Sequence, residues 1–499
     1  MAVDGGTMQD STTSLLAEKA KAVANQAFKD HRYNEAVTGY TEAIEHDPTN
    51  PIYYSNRAVS NIRLEAFGSA IQDATKALDL DSNYPKAYYH RGSAAFALSH
   101  FRDAVSDFRA AARLAPRDPD VRKKLAEAVK ELKRSQFEEA LALPEDTTSA
   151  LDSVHLEDID IEASYSGPRM EQQQQQEGGV AGYQLTLDFV KAMMEEFKEQ
   201  RMVHRRFILQ ILLTAHRVLS ALPSLVDLDV PPSSHITVCG DTHGQFYDLM
   251  RIFDLNGLPS SDNPYVFNGD FVDRGSFSVE VILTLLAFKA LDPQCMHLTR
   301  GNHESKSMNV IYGFYGEVKA KLGPSAVELF RELFCALPLA YVLGSKVMVV
   351  HGGIPTCPGG DLASLRKIDR TREPPDEGPM CECLWNDPQD ELGTTPNKRG
   401  VGVAWGPDLT QKYLSENELS LVVRSHEVKE EGYELTHDGF CCTIFSAPNY
   451  CDQMGNKGAF IKFNGDDMVP HFTQFNAAPH PNVRPMQYAA GMMNGMFGM

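Results

Sequence analysis

At 499 residues the chain is too long for one ordinary domain, so two or three are expected. Its 42% apolar and 23% charged residues are globular in character, and a net charge of −20 disfavours broad nucleic-acid binding. Nine cysteines lack a disulfide-like spacing, no secretory-type leader opens the chain and no uncharged apolar run is long enough to span a bilayer. We therefore expect a monomeric protein of the cytoplasm and nucleus, with no nucleic-acid or membrane partner.

Residues 1–13 are small and polar and read as a loose terminus. Over 14–141 a repeat of period 34 sets Tyr33, Phe67 and Phe101 in register, as it does Ala36, Ala70 and Ala104, and Ala43, Ala77 and Ala111. Pro48 and Pro116 lie two periods apart, with Ser82 between. Each period holds two helix lengths: the alanines let paired helices approach, the aromatics fill the gaps, and a last helix from about Pro119 to Leu141 caps the apolar edge. The pattern resembles three tetratricopeptide repeats, an all-α solenoid. In that family the concave face often clamps the acidic C-terminal tail of the heat-shock protein 90 chaperone. The resemblance places the clamp on Lys21, Asn25, Asn56 and Lys86. The fifth position departs from it: His90 offers one pH-dependent contact where Arg offers a permanent fork. Arg91 points about 100° further round the helix. An ordinary solvated polar face is the competing reading.

Residues 142–182 read as an acidic, Gln-rich linker. Pro144 to Pro168 holds seven acidic residues and no Lys or Arg, and a five-glutamine run, Gln172–Gln176, precedes Gly178-Gly179. The second domain is assigned to 183–476. It opens on a helical pattern from Leu185 to Leu222, with apolar Phe189, Met193, Met194, Phe197, Ile208, Ile211 and Leu212. Strands and helices then alternate. Residues 477–499 form a tail whose Met486, Met492, Met493, Met496 and Met499 lie amid glycines, a weak docking helix or a frayed end.

Within the second domain, three apolar runs end in Gly-flanked polar clusters. Ile236–Cys239 leads into Gly240-Asp241-Thr242-His243-Gly244. Tyr265–Phe267 leads into Gly269-Asp270-Phe271-Val272-Asp273-Arg274-Gly275. Met296–Leu298 leads into Gly301-Asn302-His303-Glu304. Two further runs end at His351-Gly352-Gly353 and at Arg424-Ser425-His426-Glu427. Buried strands with loops at one sheet edge would bring these clusters together. Carboxylate, imidazole and amide oxygen in one place suit Mn, Fe or Zn. Asp241 and His243 can share one ion, and Asp270 can bridge to a second.

These motifs, with Arg399-Gly400 and Ser446-Ala447-Pro448-Asn449-Tyr450, resemble the phosphoprotein phosphatase family of metal-dependent Ser/Thr phosphatases over about 185–475. The resemblance implies a multidomain chain, an all-α solenoid followed by an α/β domain built on a central β-sandwich flanked by helices. It implies two divalent ions, Mn, or Fe or Zn, the first on Asp241, His243 and Asp270, the second on Asp270, Asn302, His351 and His426. A hydroxide activated by both ions attacks phosphorus without a phosphoenzyme. His303 follows a ligand, and we assign it as the general acid, oriented by Asp273. Arg274 and Arg399 match the family's phosphate-gripping arginines, while Tyr450 donates a hydroxyl or simply packs. Arg424 and Glu427 flank His426 and support it. In chains joining such an array to such a domain, the array holds activity low until a chaperone tail or a fatty acid relieves it; Glu65 matches an interface residue there. The rivals are an adaptor with a dead phosphatase domain, or a metallophosphoesterase acting on nucleic acid or small diesters.

Overall fold

The computed structural model describes residues 6–141, 149–172 and 183–483. The chain divides into two compact units, Met1–Asp146 with Pro396–Val401, and Thr147–Thr395 with Gly402–Met499.

The first unit is built from α1 (Gly6–Lys29), α2 (Tyr33–His46), α3 (Pro51–Arg63), α4 (Phe67–Leu80), α5 (Pro85–Ala97), α6 (Phe101–Leu114) and α7 (Pro119–Leu141). The sequence period becomes a structural one. Pro51, Pro85 and Pro119 each open a helix, where the missing N–H costs nothing. His31, Glu65 and Ser99 take left-handed backbone at the turn between paired helices. All six alanines of the two columns are fully buried. Arg57 forks onto Asp73 at 2.9 and 2.7 Å and reaches Thr41 at 2.9 Å. One period on, Arg91 forks onto Asp107 at 2.9 Å twice and reaches Thr75 at 3.3 Å. Helix α1 starts at Gly6, not at residue 14: no Gly or Pro follows Gly6 before Lys29, so the helix, once nucleated, extends into the stretch expected to be loose.

The second unit carries eleven principal strands: β1 (Leu225–Leu228), β2 (His235–Cys239), β3 (Tyr265–Phe267), β4 (Met296–Leu298), β5 (Ala340–Leu343), β6 (Val347–Val350), β7 (Leu421–Arg424), β8 (Tyr433–Thr436), β9 (Cys441–Ile444), β10 (Gly458–Asn464) and β11 (Pro470–Phe475). One sheet runs β8-β9-β7-β6-β5-β1, the other β11-β10-β2-β3-β4. Strands β2, β3 and β4 are mutually parallel, as are β6, β7 and β9. Alternate residues of both sheets meet in one core: Ile236 and Val238 face Val347, Val349, Leu421 and Val423. The outer face of the five-stranded sheet packs on α8 (Leu187–Lys198), α9 (Arg205–Ser220), α10 (Phe246–Asn256) and α11 (Ser278–Leu291). The domain is a helix-flanked β-sandwich, as expected.

One boundary differs. Residues 149–172, read as flexible linker, belong to this unit: Leu151 and Met170 are buried in the helical core, with Val154, Leu156, Ile159 and Ile161 against it. Leu151 N–H and Ser149 Oγ–H both donate to Glu332, and Arg206 Nη1 donates to Ile159 O at 2.7 Å. The acidic residues among them are mostly exposed, so composition masked a spaced apolar set. The tail's first residues, Ala477–Val483, are also fixed, with Ala478 N–H donating to Asp248 at 2.8 Å. The methionines from Met486 on, and most of the glutamine run, lie outside the described residues.

Candidate active site

Each expected ligand sits just beyond the carboxyl end of a strand. Asp241 and His243 follow β2, Asp270 follows β3, Asn302 follows β4, His351 follows β6 and His426 follows β7. All six are buried. The sandwich therefore supplies four donors from one sheet and two from the other. The loops are tight enough to demand glycine. A Cβ on Gly269, whose φ is +81°, would come within 2.6 Å of Gly301 Cα, and one on Gly301 within 2.2 Å of Asp270 Oδ1. His243, Asp270, Asp273, Arg274 and His426 hold left-handed backbone without being glycine, strain of the kind that gathers at functional sites.

Backbone carbonyls fix the ring nitrogens that face inward. His243 Nδ1 lies 3.0 Å from Val272 O and His351 Nδ1 lies 2.8 Å from Asn268 O, leaving both Nε2 atoms for the centre. His243 Nε2 is 3.5 Å from Asp270 Oδ2, and His351 Nε2 is 3.3 Å from the same oxygen, which places Asp270 between the two groups. Among the described residues two clusters can hold an ion, His243–Asp270–His303 and Asp270–His351–His426. Asp241 Oδ2 stands 3.8 Å from His243 Nε2, completing the first expected set.

The donors fit cations. The Asn302 amide oxygen approaches His351 Nε2 at 2.9 Å, His426 Nδ1 at 3.0 Å and Asp270 Oδ2 at 3.1 Å, so it meets only lone pairs. Either the amide turns over or a positive ion lies among them; a set of two imidazoles, a carboxylate and an amide oxygen is one that binds divalent metals. Burial, reinforced by the Asp270 charge, pushes the Asp241 carboxyl up to about 8 against the pull of His351, and burial with nearby His303 and Arg274 holds the His243 imidazole well below its usual range. Two cations would reverse the first and suit the second.

His303, expected as the proton donor, is paired with Asp273. Its Nδ1 meets Asp273 Oδ2 at 2.8 Å, and its ring centre lies 4.8 Å from that of His243. Asp273 is fully enclosed; burial pushes its carboxyl up to about 7 against the pull of the Phe314 N–H, the Asn309 amide and Arg274. Glu304 ties the loops together, accepting from the N–H groups of Asp270 at 2.8 Å, Phe271 at 2.9 Å and Gly301 at 2.9 Å. Arg424 braces the His351 and His426 loops by donating to Gly352 O at 2.6 Å, Asp387 at 2.7 Å and Glu427 at 3.1 Å.

Arg274 lies with its guanidinium 3.9 Å above the Tyr312 ring, and the Tyr450 ring is 5.1 Å from that of His243. A cavity of about 230 Å³ opens beside them, lined by Gln245, Tyr247, Asp248, Arg274, Phe277 and His480. Arg399 is buried on the Pro396–Val401 loop, which groups with the first unit. Tyr312 and Asn309 were not singled out in the sequence. Both lie on α12 (Lys306–Tyr312), a short helix carrying no Gly-flanked motif. Cys239, in β2, is fully buried with its thiol held well above the usual range, which disqualifies it as a nucleophile.

The residues expected to form the clamp are carried by the first unit. Lys21 and Asn25 lie on α1, Asn56 on α3, Lys86 and His90 on α5. Asn25 Oδ1 accepts from Tyr40 at 2.6 Å and from Asn56 Nδ2 at 3.5 Å, while Lys21 pairs with Glu18 at 2.5 Å. His90 is buried with Nδ1 unpartnered; burial, then Lys86 and Arg63, pull its pKa down to about 4. It is therefore uncharged at neutral pH, and the pH-dependent contact expected of it is moved out of the physiological range. Arg91 is committed to Asp107.

A model described as calcineurin-like phosphoesterase matches residues 234–430, and one described as the PPP5 TPR repeat region matches 125–227. The chain is 50% identical to serine/threonine-protein phosphatase 5 of Solanum lycopersicum, over 97% of this chain and 98% of that one. It is 50% identical to the human protein of the same name, over 95% and 93%. A solved phosphatase from Saccharomyces cerevisiae, described as similar to human phosphatase PP5, matches at 39% identity and a TM-score of 0.59 over 61% of this chain and 100% of that one. With its six donors and its His–Asp pair set at the mouths of the strands, the chain belongs to the serine/threonine-protein phosphatase 5 family.

Proposed function

We propose that this protein phosphatase hydrolyses phosphoserine and phosphothreonine in proteins by direct attack of water, with His303 as proton donor. The observation carrying this reading is the 2.8 Å contact from His303 Nδ1 to Asp273 beside a closed set of six ligand side chains. Divalent ions on Asp241, His243, Asp270, Asn302, His351 and His426, with Mn our choice over Fe or Zn, would supply Lewis acidity and lower the pKa of the attacking water. Because Nδ1 is committed to Asp273, the proton for the departing alkoxide comes from Nε2. Arg274, and by resemblance Arg399, neutralise phosphate oxygens that the ions do not cover, and Tyr450 offers a hydroxyl to the same group.

Metal-stripped protein reloaded with Mn should turn over a phosphoserine protein far faster than a phosphodiester. Preference for the diester, or a phosphate trapped covalently on a side chain, would overturn the reading.

We take the helical unit to restrain the enzyme and to dock an acidic chaperone C-terminal tail through Lys21, Asn25, Asn56 and Lys86, with His90 contributing no charge. A fatty acid is a second candidate for relief. The support is family membership and the matching residues on alternate helices. The scattered spacing of the nine cysteines favours the reducing cytoplasm and nucleus.

A further inference from the structure

We infer that Asn309 is a positioning residue for the proton donor, holding His303 and its carboxylate partner in one closed ring. Its side-chain nitrogen donates twice, to Asp273 Oδ2 at 3.1 Å and to the His303 backbone carbonyl at 2.6 Å. Asp273 Oδ2 is the oxygen that His303 Nδ1 meets. The two hydrogens of one amide therefore join the main chain of His303 to the group that orients its ring. Asp273 Oδ1 is held separately by Phe314 N–H at 2.9 Å.

The amide is not needed for the local fold. The Asn309 backbone N–H already bonds to Ser305 O at 3.1 Å, and its carbonyl accepts from Gly313 at 3.3 Å. Asp273 sits at φ +72° on a turn, where its carboxylate is not fixed by regular structure. Removing the Asn309 amide leaves Oδ2 with His303 alone and frees the carboxylate to rotate about its Oδ1 anchor. The imidazole then loses its direction toward the leaving oxygen, while the ligand side chains keep theirs.

This inference rests on His303 being the proton donor, and leaving-group dependence tests the two separately. A serine alkoxide needs its proton during departure; 4-nitrophenolate leaves without one. In the Mn-loaded full-length protein, Asn309→Ala should lower kcat on a phosphoserine peptide roughly 10- to 100-fold. With 4-nitrophenyl phosphate the loss should stay within about threefold, at unchanged metal content. Asn309→Asp keeps the shape but turns an acceptor toward two acceptors, so it should be at least as impaired; it also carries the test if Asn309→Ala does not fold. His303→Ala should show the same selectivity, more strongly. If His303→Ala shows it and neither Asn309 variant does, Asn309 has no positioning role. If Asn309 variants lose both substrates equally, Asn309 serves the metal centre or the fold instead. If His303→Ala spares the phosphoserine peptide, the proton-donor assignment itself fails.

Discussion

Leu151→Ala tests whether residues 149–172 are part of the catalytic unit. Leu151 is 1% exposed and lies in the core that also takes in Phe189, Phe207 and Leu333. Truncating a leucine in such a place costs about 2–5 kcal/mol, the transfer of its methyl groups plus the cavity left behind. For a unit of this size that lowers Tm by roughly 4–10 °C. On a flexible linker the same change would stay within about 0.5 kcal/mol. Urea unfolding and differential scanning calorimetry, following the transition that abolishes phosphatase activity, give the two numbers. Asp152→Ala, on the exposed neighbour, is the control and should move neither. A Leu151→Ala transition indistinguishable from that control would refute the assignment. The result also bears on regulation: a truncation at residue 180 removes Leu151 and Met170 with the repeats, whereas a chain starting at 147 removes the repeats alone. Only the second gives a clean reading of restraint, and its basal rate should rise; an unchanged rate counts against restraint by the helical unit.

His303→Ala should cost on the order of 10²–10⁴ in kcat on a phosphoserine protein with metal content intact, and full activity would eliminate its role. Added Mn should raise the Tm of chelated protein, by about 2.7 kcal/mol of stabilisation at a hundredfold excess over Kd; a Tm indifferent to Mn speaks against a metal centre on these six residues. His90→Arg should tighten binding of an acidic C-terminal peptide about tenfold by calorimetry, or 1.4 kcal/mol, and equal affinities would argue against the clamp. The depressed pKa of His90, about 4, has a second consequence. Below its unfolded pKa the unfolded chain binds the extra proton, so the helical unit loses stability as pH falls from about 6.5 toward 4. His90→Asn should flatten that slope, and an unchanged slope would mean that other groups set it.

The expected ligands were legible because each closes an apolar run and all but His426 have glycine beside them; both features are local and survive in a linear string. The repeat was legible for the same reason, since Ala36, Ala70 and Ala104 must all be small to let helices meet. Asn309 and Tyr312 were not legible. They reach the centre from the side of a short helix, and nothing in Lys306–Tyr312 marks which residue faces Asp273. His90 was read for its type, but its burial, which decides its charge, depends on helices that the string does not order in space. Leu151 to Ile161 failed differently: acid content suggested disorder, yet a few apolar side chains spaced among the acids were enough to seat the segment.

The left-handed residues add a constraint that residue type alone does not reveal. Asp270, Asp273, Arg274 and His243 hold such backbone within the two neighbouring loops, each costing of order 1–3 kcal/mol. What holds them is protein: Glu304 gathers three backbone N–H groups, Thr242 and His243 donate to Asp270 O at 3.1 and 2.9 Å, and Gly275 donates to His243 O at 2.9 Å. These bonds join the loops after β2, β3 and β4 without any ion. Because protein groups make this clasp, chelated protein should stay folded at a lower Tm and regain activity on reloading. Were the ions the only clasp, removing them would instead melt these loops, and near-ultraviolet circular dichroism of the stripped protein would lose its tertiary signal.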